Sequence, residues 1–302
     1  SEYAPSRVLW SWLERLCNLY GLVPEGVPSN YDQGDIRHRI FERTLINSLN
    51  ASENVTSVGY NLNAMKRTAS NVRERLSPEQ WSTINHCIEN FQKDCHKAVS
   101  FHDFSSSLAI DALKQASSSL AAITGAQTDR MTRDDGWQLL SIGRHIERLS
   151  FLTTVLDSAI EMGLLFNPHI DSSGYTALLN LFDSTITFHA QHQQSREIAP
   201  LLSLLVMDDE NPRSLAWVSK ALRARLSKLA GTERNNPDEL TRSVTNLQDY
   251  DLYKLSTADA FGNFTDLRNC LAHVSHSAWS VSDEISARYF NLIKTNEYSV
   301  QI

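Results

Sequence analysis

Residues 139–160 read LLSIGRHIERLSFLTTVLDSAI. One apolar row in this stretch repeats at steps of three and four residues, which is the period of an α-helix. The row consists of Leu139, Ile142, Ile146, Leu149, Thr153, Leu156 and Ile160. A second row with helical spacing consists of Trp137, Leu140, Arg144, Glu147 and Phe151. Two such rows predict a helix that packs on two sides and therefore lies centrally in a helical fold.

Apolar residues elsewhere in the chain repeat with the same period. The clearest example runs from Val55 to Leu76 in alternating steps of three and four residues. Further helical segments are predicted at residues 6–20, 35–49, 79–98, 105–124, 172–192, 196–206, 240–256, 263–278 and 282–298. No stretch alternates apolar and polar residues for long, which disfavours β-strands. The sequence therefore predicts an all-α protein, an antiparallel helical bundle of roughly ten helices in one domain over residues 1–302.

Capping residues mark several helix starts, and proline often follows them. The motif Ser77-Pro-Glu-Gln80 has glutamine at the third position after the serine, which makes a capping box. Related patterns begin at Thr132, Asn211 and Asn236. These signals predict that helices begin near residues 78, 133, 212 and 237.

Charge and composition exclude several classes of protein. The 302 residues include 28 Lys and Arg against 35 Asp and Glu, a net charge of −7. This acidic balance disfavours binding to nucleic acid or to an anionic membrane surface. No apolar run approaches the roughly 18 residues of a membrane helix, and the first residues lack a signal-peptide pattern. The four cysteines have no C-x-x-C spacing, so we expect reduced thiols in a cytoplasmic protein.

Charged residues interrupt the second row of the central helix. Arg144 and Glu147 lie three residues apart, and Arg148 follows one step round the helix. Buried charges are costly unless they are paired, which leaves two interpretations open. Arg144 and Glu147 form a structural ion pair that fixes helix register, or the three residues line a polar pocket within the bundle.

Other candidate binding residues lie near predicted helix ends. Asp134 is suited to capping. A cation such as Arg133 opposes the dipole at a helix start, which suggests that its partner is an anionic ligand or a carboxylate from elsewhere in the fold. Arg213 also lies in a predicted first turn. Arg288 stands beside two aromatic residues and either forms a salt bridge with a carboxylate of the bundle or belongs to the pocket. The candidate substrate-binding residues are Arg133, Asp134, Arg144, Arg148, Asn211, Arg213, Arg288 and Tyr289.

A metal-dependent hydrolase is an alternative of a different class. The acids Asp208, Asp209 and Glu210 offer oxygen ligands, and histidines are paired three residues apart at 189 and 192 and at 273 and 276. The chain lacks the His-Glu-x-x-His pattern of zinc peptidases, and we expect no metal site. It also lacks a glycine-rich phosphate loop, so we expect no cofactor to be bound directly.

Five segments in order along the chain form a joint signature. They are Asn71-Val-Arg-Glu-Arg-Leu-Ser-Pro-Glu-Gln-Trp81, Met131-Thr-Arg-Asp-Asp-Gly-Trp137, Gly143-Arg-His-Ile-Glu-Arg148, Asn211-Pro-Arg-Ser-Leu215 and Ile285-Ser-Ala-Arg-Tyr-Phe290. Together they resemble the bacterial alpha-E family, a helical domain named for its Glu-Arg motif.

The chain departs from this family in two places. The family opens with a first Glu-Arg helix, and here either Trp12-Leu-Glu-Arg15 is a degenerate copy of it or, as we expect, that helix is lost upstream. The family also has an aromatic-basic stretch where residues 188–192 of this chain read Phe-His-Ala-Gln-His.

The resemblance implies association with a circularly permuted ATP-grasp protein, as a neighbour or as a fusion of which this chain is the C-terminal part. A transglutaminase-like protein is a further implied partner. ATP-grasp enzymes join a carboxylate to an amine through an acyl-phosphate, with ATP and Mg bound by the ATP-grasp domain. We therefore expect a helical accessory domain of an amide (peptide) ligase system that is not active alone. The candidate residues would receive an acidic small molecule, a peptide or an acyl-phosphate. Glu147 would act as the catalytic base on an incoming amine, or would only orient the arginines. The alternative is a non-catalytic scaffold in which the charges are structural ion pairs.

Overall fold

The computed structural model describes residues 7–24, 27, 35–99, 103–165, 172–232 and 237–290. Within these ranges the chain is helical and contains no β-strand, apart from one isolated antiparallel bridge between Val99 and Phe104. The predicted all-α class is therefore confirmed. None of the helices described is long and apolar enough to cross a membrane.

Thirteen α-helices are present in the described ranges. Three short helical turns also occur, two of 3₁₀ type at Arg73–Arg75 and Leu247–Asp249 and one of π type at Ser203–Met207. The α-helices are α1 (Arg7–Leu19), α2 (Asp35–Ser48), α3 (Val58–Asn71), α4 (Pro78–Ala98), α5 (Ser106–Arg130), α6 (Asp135–Glu161), α7 (Ser173–Leu181), α8 (Thr185–His192), α9 (Ile198–Leu202), α10 (Leu215–Leu229), α11 (Glu239–Ser243), α12 (Leu252–Leu255) and α13 (Thr265–Tyr289).

The chain divides into two compact units. The first, which we call the α4–α5 unit, comprises residues 13–132, and the second, the α6 unit, comprises residues 1–12 and 133–302. The sequence predicted one domain over the whole chain, and that assignment stays a prediction.

The α4–α5 unit is built around two long neighbouring helices, with α3 packed against α4. The start of α4 is fixed as predicted, because Ser77 and Gln80 form a reciprocal capping box and Pro78 is the first helical residue. Phe91 on α4 lies in a core to which α5 contributes small residues such as Ala112 and Ala116. Small residues on one helix allow the backbone of its neighbour to approach closely.

The α6 unit has α6 at its centre, with α10 and α13 both packed against it. Ile142, Leu149 and Leu156 on α6 are at most 1% exposed. The predicted two-sided packing of this helix is therefore confirmed. The π-helical turn contributes Leu204, Leu205 and Val206 to the buried residues.

The second predicted row of α6 is mostly outside the core. Trp137 is buried, but Leu140 and Phe151 are 36% and 39% exposed, and Glu147 is exposed. The second buried side instead uses small and mixed residues such as Ser141 and Ala159. Small residues line a helix face where a neighbouring helix approaches closely. A search for rows of large apolar residues therefore overlooks such a face.

Several predicted helix boundaries are corrected by the structure. Residues 263–278 and 282–298 were predicted as separate helices, but residues 265–289 form the single helix α13. The start predicted near residue 212 lies at Leu215, because Ser214 caps α10 by accepting a hydrogen bond from the backbone N–H of Trp217. The helix predicted from Val55 to Leu76 covers only Val58–Asn71 and is followed by the 3₁₀ turn. The start predicted near 133 lies at Asp135, and that near 237 lies at Glu239.

Candidate functional site

Six basic side chains of the α6 unit are linked by electrostatic interactions between neighbours. We call them the arginine cluster, and they come from the two packed helices α6 and α10 and the segments that precede them. The members are Arg133, Arg144, His145, Arg148, Arg213 and Arg225. Three of these, Arg144, His145 and Arg148, lie within one and a half turns of α6. The Gly-Arg-His-Ile-Glu-Arg segment is therefore a main contributor to the cluster.

Two tryptophans provide the apolar surface beside these charges. The guanidinium carbons of Arg225 and Arg133 lie 4.5 Å and 5.1 Å from the centre of the buried Trp137 ring. Trp217 on α10 meets the His145 ring edge-on, with 6.0 Å between the ring centres. Cation–π attraction offsets part of the cost of removing guanidinium groups from water.

Burial and mutual repulsion act on these groups in the same direction. Burial lowers the pKa of Arg144, and the nearby charge of Arg148 lowers it further. The pKa of Arg148 is lowered in the same way by burial and by Arg213, and that of Arg225 by burial and by Arg133. Each of these cations is therefore held beside a like charge, an arrangement that an anion between them would stabilise.

His145 lies within this field as a neutral imidazole. Burial, followed by the charges of Arg225, Arg148 and Arg144, lowers the pKa of His145 to about 4. Its Nε2 lies 3.5 Å from Oγ of Ser141. A neutral histidine among arginines retains one nitrogen lone pair, so it can accept a proton when a bound anion cancels the surrounding charge.

Two buried donors of the cluster are unused. The Nε atoms of Arg144 and Arg225 are buried and have no hydrogen-bond partner. Among the described residues, no carboxylate lies within ion-pair distance of Arg144, Arg148 or Arg225. Arg148 donates to the carbonyl oxygen of Pro212 at 3.4 Å. Buried donors are nearly always satisfied in folded proteins, so each of these two atoms is open to an acceptor that the described residues do not supply, such as a water molecule or a bound anion.

The ion pair predicted between Arg144 and Glu147 is not formed. Glu147 is exposed and makes no salt bridge within the part of the chain that the structure describes. Residue 147 immediately follows the buried Ile146, and the helix carries its side chain towards solvent. Of the two open interpretations of Arg144, the structural ion pair with Glu147 is therefore wrong.

Other predicted site residues have structural partners. Asp134 caps α6 by accepting a hydrogen bond from the Trp137 backbone N–H. Asn211 is buried, where its amide donates to the carbonyl oxygen of Leu204 and its Oδ1 accepts from the Arg213 backbone. Asn211 therefore holds the loop before α10 and positions Arg213. The guanidinium of Arg213 in turn binds the Asp183 carboxylate at 2.5 Å.

Arg288 and Tyr289 lie in the last turn of α13. The Nε of Arg288 binds the Glu284 carboxylate at 2.5 Å, and Asp238 is its next acidic neighbour. These partners raise the pKa of Arg288, whereas cluster neighbours lower the pKa of Arg144. The structure therefore groups Arg288 with acids and not with the arginine cluster.

The acids of the metal alternative have other roles. The Asp208 carboxylate accepts hydrogen bonds from the backbone of Glu210 and Asn211, and Asp209 binds Lys220 at 2.6 Å. The ring of His189 is bonded to the Gln193 carbonyl oxygen. No group of three potential metal ligands occurs in the ranges that the structure describes. The acids before α10 thus shape a loop and hold a surface lysine.

Sequence reasoning missed His145, Arg225 and Trp217. Trp217 and Arg225 are eight residues apart on α10, and they contact His145 and Trp137, which are eight residues apart on α6. The only available signal in the sequence was a tryptophan and an arginine two turns apart on one helix. This spacing alone does not predict a site, because the site forms only when a second helix brings further arginines against the same face.

Replacing Arg144 with methionine is expected to raise the free energy of unfolding by about 1 kcal/mol at low salt. The change removes a half-buried cation with an unused donor and keeps a side chain of similar length. Urea unfolding at low and high salt measures the effect, and the gain should shrink when salt screens repulsion from Arg148. A loss of about 3–5 kcal/mol, as for a broken buried ion pair, would contradict the unpaired state of Arg144.

Comparison with known proteins identifies the family to which the chain belongs. The chain is 24% identical over 266 residues to the uncharacterized proteins Rv2567 of Mycobacterium tuberculosis and Mb2597 of Mycobacterium bovis. The match covers 87% of this chain and 29% of each relative, so this chain corresponds to less than a third of their length. No solved structure matches the chain. The model of the Alpha-E family, described as "a predicted alpha-helical domain with a conserved ER motif", matches residues 7–290, and the chain therefore belongs to the alpha-E family.

Proposed function

We propose that this protein is the helical accessory domain of an ATP-dependent amide (peptide) ligase system, and that its arginine cluster binds an anionic substrate or acyl-phosphate. The observation that carries the proposal is the pair of buried, unused Nε donors on Arg144 and Arg225 beside neutral His145. The alpha-E resemblance supplies the ligase context.

Guanidinium groups suit the proposed ligand because their planar donors match the oxygens of a carboxylate or phosphate. The cluster is partly desolvated, which strengthens a charge-assisted hydrogen bond relative to the same bond in water. A bound anion would also relieve the repulsion of Arg144 by Arg148 and of Arg225 by Arg133. The anion is therefore favoured both by unused donors and by unbalanced positive charge.

The remaining parts of the reaction are assigned to a partner. A circularly permuted ATP-grasp protein or domain would bind ATP and Mg and form the acyl-phosphate, with a transglutaminase-like protein as a further associate. The relatives extend well beyond the region that matches this chain, which is compatible with fusion to other domains. Glu147, exposed one residue before Arg148, is the proposed base for the incoming amine.

Anion binding is tested first on this protein alone by calorimetric titration with acetyl phosphate, inorganic phosphate and acetate. We expect Arg144→Gln with Arg225→Gln to weaken acetyl phosphate binding about 100-fold, because each charge-assisted hydrogen bond contributes roughly 1.5–3 kcal/mol. Lys228→Gln is the matched control, since it removes one positive charge from an exposed position on α10. Unchanged affinity in the double variant would exclude the cluster as the anion site.

Participation in ligation is tested with the cognate ATP-grasp protein. ADP release and amide formation should require this protein and should fall in the Arg144→Gln/Arg225→Gln variant. They should also fall with Glu147→Gln, while acetyl phosphate binding persists in that variant. If the ligase turns over equally well without this protein, the catalytic proposal is wrong and the non-catalytic scaffold is favoured.

A further inference from the structure

A cavity of about 290 Å³ lies beside α10, and none of the residues that line it belongs to the arginine cluster. Its walls are α10, the start of α11 and the 3₁₀ turn Leu247–Asp249 with the residues that precede it. On α10 the lining residues include Ala216, Ser219 and Arg223, whereas Arg225 belongs to the cluster and Trp217 contacts its member His145. The two features are therefore separate, and this inference does not rest on the proposed function.

A buried hydroxyl marks the floor of the cavity. Ser219 is 2% exposed, and its Oγ has no hydrogen-bond partner. A serine within a helix commonly satisfies its hydroxyl with the carbonyl oxygen one turn earlier, but Ser219 does not. An unsatisfied buried hydroxyl that lines a cavity can be satisfied by a polar group that enters the cavity, either a water molecule or a ligand.

The charges around the cavity are of both signs. Arg223, one turn after Ser219, is half-buried and has no ion-pair partner among the residues described. Lys220 and Asp209 also line the cavity and bind each other at 2.6 Å, both with their charged ends partly in solvent. Arg223 is therefore the uncommitted cation of the lining. The Asp209 carboxylate, although bound by Lys220, is exposed enough to accept from a further ammonium group.

The remaining walls combine small, apolar and polar side chains, and the polar ones include Asn246 and Gln248. Ala216 and Ala224 leave space along α10, and Leu247 offers an apolar surface opposite them. The cavity volume lies just below the usual range for ligand pockets, about 300–1,000 Å³, so only a molecule well below drug size fits. We propose that this cavity binds a free α-amino acid, with its carboxylate on Arg223 and Ser219 and its ammonium group towards Asp209.

Titration of the full chain with a panel of free amino acids tests the proposal, using calorimetry and ligand-observed NMR. Acetate and methylamine are the matched probes, because each carries one half of the zwitterion. We expect at least one amino acid to bind in the millimolar range or tighter, and at least tenfold more tightly than acetate or methylamine. Binding of no amino acid, or equal affinity for acetate, would overturn the proposal.

Variants place the binding at this cavity. Arg223→Gln should weaken binding about tenfold or more, because it removes the charge-assisted partner of the carboxylate. Ser219→Leu should abolish binding by filling the cavity, and a thermal melt checks that this variant is folded. Lys228→Gln removes one positive charge from the same helix outside the cavity and should leave binding unchanged. Equal affinities in Arg223→Gln and Lys228→Gln would place the amino acid elsewhere and refute the assignment.

Discussion

Substitution of Trp12 by alanine is expected to lower the free energy of unfolding by about 3–5 kcal/mol. Trp12 is 0% exposed, and its Nε1 donates to Oγ of Ser158 on α6 at 2.9 Å, across a separation of 146 residues. Truncation removes the apolar contacts of a large ring and leaves a cavity that the neighbouring side chains fill incompletely. Residues 1–12 belong to the same compact unit as α6, so the loss should reach the whole unit.

Urea unfolding followed by far-UV circular dichroism measures this effect. Trp12→Phe keeps most of the ring and loses the hydrogen bond, so its cost should be clearly smaller than that of alanine. Val8→Ala on the same helix is the surface control, because Val8 is 41% exposed and exposed substitutions usually change stability by less than about 0.5 kcal/mol. Equal losses for Trp12→Ala and Val8→Ala would show that α1 does not anchor the unit.

Lowering the pH from 7.5 to 4 is expected to remove up to about 3 kcal/mol of stability through His145. The pKa of this histidine is about 4 in the folded protein, against its ordinary value of 6.5. Above pH 6.5 both states carry a neutral imidazole, and the contribution is fully present. Between pH 6.5 and 4 the unfolded chain takes up a proton that the folded protein does not, so the loss develops in that window.

The free energy of unfolding should therefore depend on pH differently in the wild type and in the His145→Gln variant. Urea unfolding at several pH values should show a steeper loss below pH 6.5 in the wild type than in the variant, which keeps a polar side chain that does not titrate. NMR titration of the His145 imidazole measures its pKa directly, and saturating phosphate should raise that pKa if the anion binds beside it. A pKa near 6.5 without phosphate would contradict the buried cationic environment of His145.

Local sequence signals predicted the helical elements well where they depend on a few adjacent residues. The capping box at Ser77 and Gln80 fixed the start of α4, and the apolar row from Ile142 to Ile160 identified the central helix. Prediction was less accurate where side chains from outside the segment intervene. Ser214, and not Asn211, caps α10, because Asn211 is recruited to bond the Leu204 carbonyl oxygen in the preceding loop.

The candidate site was predicted only in part. Arg133, Arg144, Arg148 and Arg213 were selected from sequence and do lie in one electrostatic group, whereas Arg288 is paired with Glu284. His145 and Arg225 were not selected. Their importance arises from the packing of α10 on α6, which no spacing within either helix records.

The sequence by itself determined that the chain is helical, that α6 is central and that arginines occur beside its core. These properties follow from a repeat of 3.6 residues and from caps, which act over one or two turns. Only the tertiary structure decided which guanidiniums converge, that Arg144 lacks the expected partner Glu147 and that His145 is neutral. Ion pairing and protonation depend on the distances between charged groups in a partly desolvated interior. Those distances are set by contacts between residues far apart in sequence, such as the hydrogen bond from Arg148 to the carbonyl oxygen of Pro212, 64 positions away.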